Sequence, residues 1–88
     1  MDKKKLLEMQ VKDFNRKVLT TSEKDPGLNV NPATRTMYIA YVKKMKTLFP
    51  ENEEVKNLSE EIDFPFIYAD LSNLIGQLIA LLNFLLKE

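Results

Sequence analysis

The sequence predicts an all-α protein: a small antiparallel bundle of three main helices and one short helix, completed by self-association. Three observations support this fold class. Apolar residues recur at helical spacings of three and four in three separate segments. Glycine occurs only twice in 88 residues, and no segment alternates β-branched with polar residues, so a sheet is not expected. A chain of this length is expected to form a single domain, which we take to span residues 1–88.

The first predicted helix covers residues 2–19. Four apolar residues form one narrow stripe at spacings of four, three and four: Leu7, Val11, Phe14 and Val18. Asp2 precedes the stripe and suits a helix start, where a carboxylate accepts hydrogen bonds from free backbone N–H groups. Residues 20–31 are rich in turn formers and are interpreted as a linker, with a type II turn at residues 25–27.

The second predicted helix covers residues 32–49. Asn31 is a preferred N-cap, and Pro32 fits the first helical position. Its core stripe is Tyr38, Val42, Met45 and Phe49. Val55 and Leu58 in the acidic segment that follows predict a short helix over residues 52–61, and the acidic side chains at its start suit the helix dipole.

The final predicted helix, residues 65–87, is the longest apolar segment of the chain. Pro65 fits its first turn, and Phe64 and Phe66 are expected to anchor this corner in the core. We assign one stripe of this helix to the core: Leu71, Leu74, Leu78, Leu81 and Leu85.

A second apolar stripe and a line of small residues remain on the final helix. The two apolar stripes together span an arc of roughly 160°, wider than a helix on a globular surface needs, and the small residues lie on the remaining side. The other helices offer narrow stripes that cannot cover both, so we expect a second copy to cover the remainder, most simply in a dimer. The predicted interface comprises Ser72, Ile75, Gly76, Ile79, Ala80, Leu82 and Leu86.

Charge is segregated along the chain although the net charge is zero. Residues 1–49 carry eleven Lys or Arg and five Asp or Glu, whereas residues 50–88 carry two and eight, so the halves are +6 and −6. We interpret this pattern as basic helices lying beside an acidic segment, within one chain or between subunits. The lysines at positions 3–5 are expected to face solvent, since nucleic-acid binding needs several distributed cations.

The residue content argues against catalysis. The chain has no histidine and no cysteine, which removes the commonest general base, thiol chemistry and the commonest metal ligands. It also lacks a glycine-rich phosphate loop and a Gly-x-Ser-x-Gly elbow. We therefore predict a non-enzymatic protein without metal or cofactor. The lack of cysteine and of a secretory signal fits a cytoplasmic location.

A basic edge beside two tyrosines on the second helix gives a further hypothesis. Aromatic stacking combined with positive charge can hold an anionic aromatic ligand such as a nucleotide. The alternative is that the tyrosines pack at the edge of the core while the cations face water. The candidate anion-binding residues are Arg35, Tyr38, Tyr41, Lys43 and Lys46.

Three functions stay open after these exclusions. The first, which we favour, is an interaction or assembly module that binds itself, or another protein, through its final helix. The second is an oligomeric sponge or sensor for a small anionic ligand. The third is a membrane-associated helical protein, or an immunity or inhibitor factor. Asp70 lies inside the apolar stretch and argues against a membrane span.

Overall fold

Four helices make up most of the computed structural model, which describes residues 2–60 and 67–87. The helices are α1 (Lys3–Lys24), α2 (Pro32–Leu48), α3 (Glu53–Lys56) and α4 (Tyr68–Leu86). No β-strand occurs among the described residues, so the predicted all-α class is confirmed. The predicted corner at Phe64, Pro65 and Phe66 lies outside the described residues.

Helix α1 ends at Lys24 rather than at residue 19, so the first part of the predicted linker is helical. The hydroxyls of Thr20 and Thr21 donate to backbone carbonyls four residues earlier, and these side chains are thereby accommodated within the helix. A turn follows in which the Leu28 N–H donates to the Asp25 carbonyl at 3.1 Å. Gly27 does not have a positive φ, so the predicted type II turn is wrong.

Side-chain caps begin the first three helices. In each case a side-chain oxygen accepts a hydrogen bond from a backbone N–H two or three residues later, which satisfies a donor that the helix leaves free. The capping residues are Asp2 (2.9 Å), Asn31 (2.7 Å) and Asn52 (3.0 Å). The short helix α3 is limited to Glu53–Lys56 rather than the predicted 52–61, because the N–H of Leu58 bonds to the Val55 carbonyl three residues earlier and so ends the i to i−4 pattern.

Replacing Asn31 with alanine should lower the free energy of unfolding by about 0.5–2 kcal/mol, since the Thr34 N–H loses its acceptor. Urea denaturation followed by circular dichroism would measure the loss. Asn31→Ser keeps a capping oxygen and serves as the control, with a smaller loss expected. An equal loss for both variants would show that the cap hydrogen bond does not stabilise α2.

The core lies mainly between α1 and α4, with α2 packed on α1 and α3 packed on α2. Two buried valines, Val30 before α2 and Val55 in α3, complete it. The predicted core positions of α1 are all buried, and so are Tyr38, Val42 and Met45 of α2. The predicted Phe49 is half-buried and packs against this cluster.

The buried stripe of α4 is rotated by about 60° from the predicted one, at 100° per residue. It consists of Tyr68, Leu71, Ile75, Leu78 and Leu82. The predicted core residues Leu74, Leu81 and Leu85 are only partly buried, at the edge of the cluster. The expectation that Ile75 and Leu82 stay partly uncovered is therefore wrong, because both are 0% exposed. Leu71 and Leu78 belong to both stripes, so helical spacing alone does not decide between them.

The start of α4 is held by the linker that precedes α2. Helix α4 has no side-chain cap, but the N–H of Tyr68 donates to the Leu28 carbonyl at 3.0 Å. An isolated antiparallel bridge pairs the neighbouring residues Asn29 and Ile67. The hydroxyls of Tyr68 and Thr34 lie 3.3 Å apart. These contacts fix where α4 begins, and therefore which of its sides faces α1.

Candidate functional site

The outward side of α4 carries an apolar surface that the rest of the described chain leaves open. Phe84 is 60% exposed, more than any other large apolar side chain among the described residues. Gly76 and Ala80 are also exposed and precede it on the same line, four residues apart. We call this surface the outer face of α4 and define it by Ser72, Gly76, Gln77, Ala80, Leu81 and Phe84.

Gly76 faces open space within the part of the chain that the structure describes. A Cβ atom added here would meet no atom within 4 Å beyond its own stretch of helix. Packing within the chain therefore does not require glycine here. Together with Ser72 and Ala80, Gly76 leaves room for a second backbone to approach α4 closely.

A groove runs beside the outer face, between α3 and α4. It consists of two cavities of about 340 and 370 Å³ that share Glu54, Gln77 and Leu81 in their walls. Leu58 and Leu74 line one end, and Phe84 lines the other. We call it the α3–α4 groove. It offers a concave apolar surface immediately beside a protruding phenylalanine ring.

The predicted interface residues are divided by the fold. Gly76 and Ala80 are exposed, while Ser72, Ile79 and Leu86 are half-buried. Ile75 and Leu82 lie inside the chain's own core and are not available to a partner. Phe84 was not among the predicted residues, although it extends the small-residue line Ser72, Gly76 and Ala80 by one further turn.

The predicted anion-binding residues do not come together around one cavity. Tyr38 is buried and lines the α3–α4 groove near Glu54, and no Lys or Arg belongs to the described walls of that groove. Burial raises the pKa of the Tyr38 phenol above its usual value. The Tyr41 ring packs against Phe14, with ring centroids 5.3 Å apart. Both tyrosines thus contribute to the core or its edge rather than presenting two open rings.

The cations of that set also differ in their surroundings. Lys46 Nζ lies 3.7 Å from a carboxylate oxygen of Glu60, which joins the basic half of the chain to the acidic half. Lys43 is exposed, and Arg35 is half-buried. Anion binding by these residues stays a prediction. Elsewhere, no group of three or more acidic side chains is placed to hold a metal ion within residues 2–60 and 67–87.

Helix α4 is also long and apolar enough to cross a membrane, judged by length and composition. A minority of its residues are buried within the fold, and Asp70 in its first turn is exposed. Core helices of soluble proteins have similar lengths and compositions, so this property alone does not distinguish the two environments.

No protein-family model, curated protein or solved structure was found to match this chain. Its function is therefore inferred from its own residues and their geometry.

Proposed function

We propose that this chain is a non-enzymatic interaction module that forms a homo-oligomer, most simply a two-fold dimer, through the outer face of α4. The observation that carries the proposal is the exposed Phe84 at the end of an open small-residue line and beside the apolar α3–α4 groove. Apolar surface of this kind is unfavourable in water, and a contiguous patch of it generally marks an interface.

A second copy suits this surface because the surface carries both a protrusion and a recess. In a two-fold arrangement, Phe84 of each copy enters the α3–α4 groove of the other, so the interface contains two symmetry-related copies of the same contact. Gly76 and Ala80 allow the two α4 helices to approach. Lys87 is exposed and follows Phe84 by three residues, which brings a positive charge towards Glu54 of the partner's groove.

The antiparallel order of the three main helices is part of the same proposal, because short connections favour antiparallel neighbours. The described connection between α1 and α2 is residues 25–31. We further place the protein in the cytoplasm, since a chain without cysteine suits a reducing compartment.

Replacing Phe84 with lysine should abolish or strongly weaken the dimer, because two buried ammonium groups would replace two buried rings. Sedimentation velocity over a micromolar concentration series measures the change. The matched control is Met9→Lys on α1, where the replaced apolar side chain is 56% exposed. We expect Met9→Lys to keep the wild-type mass and both variants to keep their helicity.

Gly76→Leu tests the same interface by steric means. The added side chain meets open space within one copy, so the fold should be retained, while close approach of a second α4 is obstructed. A monomeric wild-type protein across the whole series would contradict the proposal. So would a Phe84→Lys variant with the wild-type mass.

Membrane association is a second candidate, favoured by the length and composition of α4. It predicts that the wild-type chain cosediments with phosphatidylcholine vesicles and that Phe84→Lys does not. A wild-type chain that is monomeric in solution and binds vesicles would support membrane association over the dimer. A dimer that does not bind vesicles would exclude membrane association.

A further inference from the structure

A separate groove lies between the first turns of α1 and the last turns of α2, and we call it the α1–α2 groove. Its volume is about 380 Å³, within the range of small-molecule sites. Three leucines supply its apolar surface: Leu7 is buried, Leu48 is half-buried, and Leu6 is 41% exposed. Gln10 and Thr47 complete its walls together with two lysines.

The two lysines stand on different helices. Lys3 belongs to the first turn of α1, and Lys44 belongs to α2. No Asp or Glu is among the described residues that line this groove. Lys44 Nζ also lies 5.6 Å from the centroid of the Tyr41 ring, one turn earlier on α2. An apolar surface with a lysine side chain on each wall complements a molecule that joins an apolar chain to a negative head group.

We propose that the α1–α2 groove binds a single-chain amphipathic carboxylate, of the fatty-acid type. The alkyl chain lies along Leu6, Leu7 and Leu48, where it is removed from water. The carboxylate lies between the ammonium groups of Lys3 and Lys44, which supply charge-assisted hydrogen bonds. This site goes beyond the proposed dimer and shares no residue with the outer face of α4.

The dimensions of the groove favour such a ligand over a partner helix. Its α1 wall extends from Lys3 to Gln10, which is about 10 Å of helix at 1.5 Å per residue. A docked helix is itself about 10–12 Å wide and needs several turns of contact to place its apolar anchors. The groove therefore holds an alkyl chain more completely than it holds a helix.

Isothermal titration calorimetry with decanoate, below its micelle concentration, tests the proposal on the full chain. We expect saturable binding of decanoate and weaker binding of decanol and of decyltrimethylammonium, which have the same chain length but lack the negative charge. Lys3→Gln and Lys44→Gln should each weaken decanoate binding by about two- to fivefold, the range of exposed ion pairs. Leu6→Ser should weaken it by reducing the apolar contact.

Lys43→Gln is the matched control, because Lys43 neighbours Lys44 in sequence, is exposed and does not line the groove. It should leave the affinity for decanoate unchanged, as should Phe84→Lys on the other surface. Equal affinities for decanoate and decanol would overturn the proposal. Equal losses of decanoate affinity in Lys43→Gln and Lys44→Gln would also overturn it, as would a loss of decanoate binding in Phe84→Lys. Binding of an acidic amphipathic peptide by a chain that does not bind decanoate would likewise contradict the proposal.

Discussion

Leu82→Ala should lower the free energy of unfolding by about 2–5 kcal/mol, the usual cost of truncating a fully buried leucine. Leu82 is 0% exposed on the side of α4 that faces the core. Removing its isobutyl group leaves a cavity that the surrounding helices fill only in part, because protein interiors are close-packed. Leu78→Ala, at a position 2% exposed on the same stripe, should cost a similar amount. Urea denaturation monitored by circular dichroism gives both values.

Two further variants show whether the loss comes from burial. Met9→Ala removes an apolar side chain that is 56% exposed, and should change the free energy of unfolding by no more than about 0.5 kcal/mol. Leu81→Ala, at the edge of the core, should fall between the two extremes. If Leu81→Ala lowered the free energy of unfolding more than Leu82→Ala, the buried stripe would be the one predicted from the sequence. Leu82 would then belong to the predicted interface.

Val42→Asp should leave the chain largely unfolded at neutral pH. Val42 is 0% exposed, and the core contains no buried Lys or Arg among the described residues that would pair with a carboxylate. Burying an unpaired charge costs several kcal/mol, a large part of the roughly 5–15 kcal/mol that stabilises an ordinary domain. Circular dichroism at neutral pH should therefore show a loss of helicity, together with a lost thermal transition.

The same variant has a defined pH dependence. Burial raises the pKa of the introduced carboxyl group in the folded state above its unfolded value of about 3.9, because the neutral form is easier to bury. The stability deficit relative to wild type is therefore smallest below the unfolded pKa and grows as the pH rises through the folded pKa. Ala40→Asp, at an exposed position of the same helix, is the control and should show little of this dependence. Equal stability of the two variants at neutral pH would mean that Val42 is not buried.

Local sequence signals were sufficient to predict the helices but not their lengths. The apolar spacing of α1 and the cap and proline at Asn31 and Pro32 describe interactions within one helix, and both predictions agree with the structure. The end of α1 was missed because the threonines at positions 20 and 21, read as linker residues, bond back to the helix instead. The length of α3 was missed because acidic residues favour a helix start but do not specify where it ends.

The side of α4 that faces the core could not be predicted from its own sequence. The predicted core stripe and the observed one share Leu71 and Leu78, and each set has the spacing of a helical face. Tertiary contacts determine which stripe is buried, among them the hydrogen bond from the Tyr68 N–H to the Leu28 carbonyl at the start of the helix. The line of small residues was identified in the sequence, but Phe84 was overlooked because it belongs to neither aliphatic stripe.

The candidate sites illustrate a similar limit. Tyr38 and Tyr41 are three residues apart on α2, a spacing that suits a ligand-facing pair and a core-facing pair equally well. Only the positions of Phe14 and of the α3–α4 groove show that these rings pack inwards. The α1–α2 groove was also not predictable, since Lys3 and Lys44 are far apart in the sequence and line one groove only through the packing of α2 on α1.

The pairing of α1 with α4 has a consequence for how the chain folds during synthesis. These helices form the main contact of the core, yet more than forty residues separate the end of α1 at Lys24 from the start of α4 at Tyr68. The apolar stripe of α1 therefore leaves the ribosome long before its principal partner does. Closing this loop costs chain entropy before any burial compensates it, which slows folding relative to bundles with local contacts. Nascent α1 and α2 thus expose apolar surface to chaperones until α4 emerges and docks.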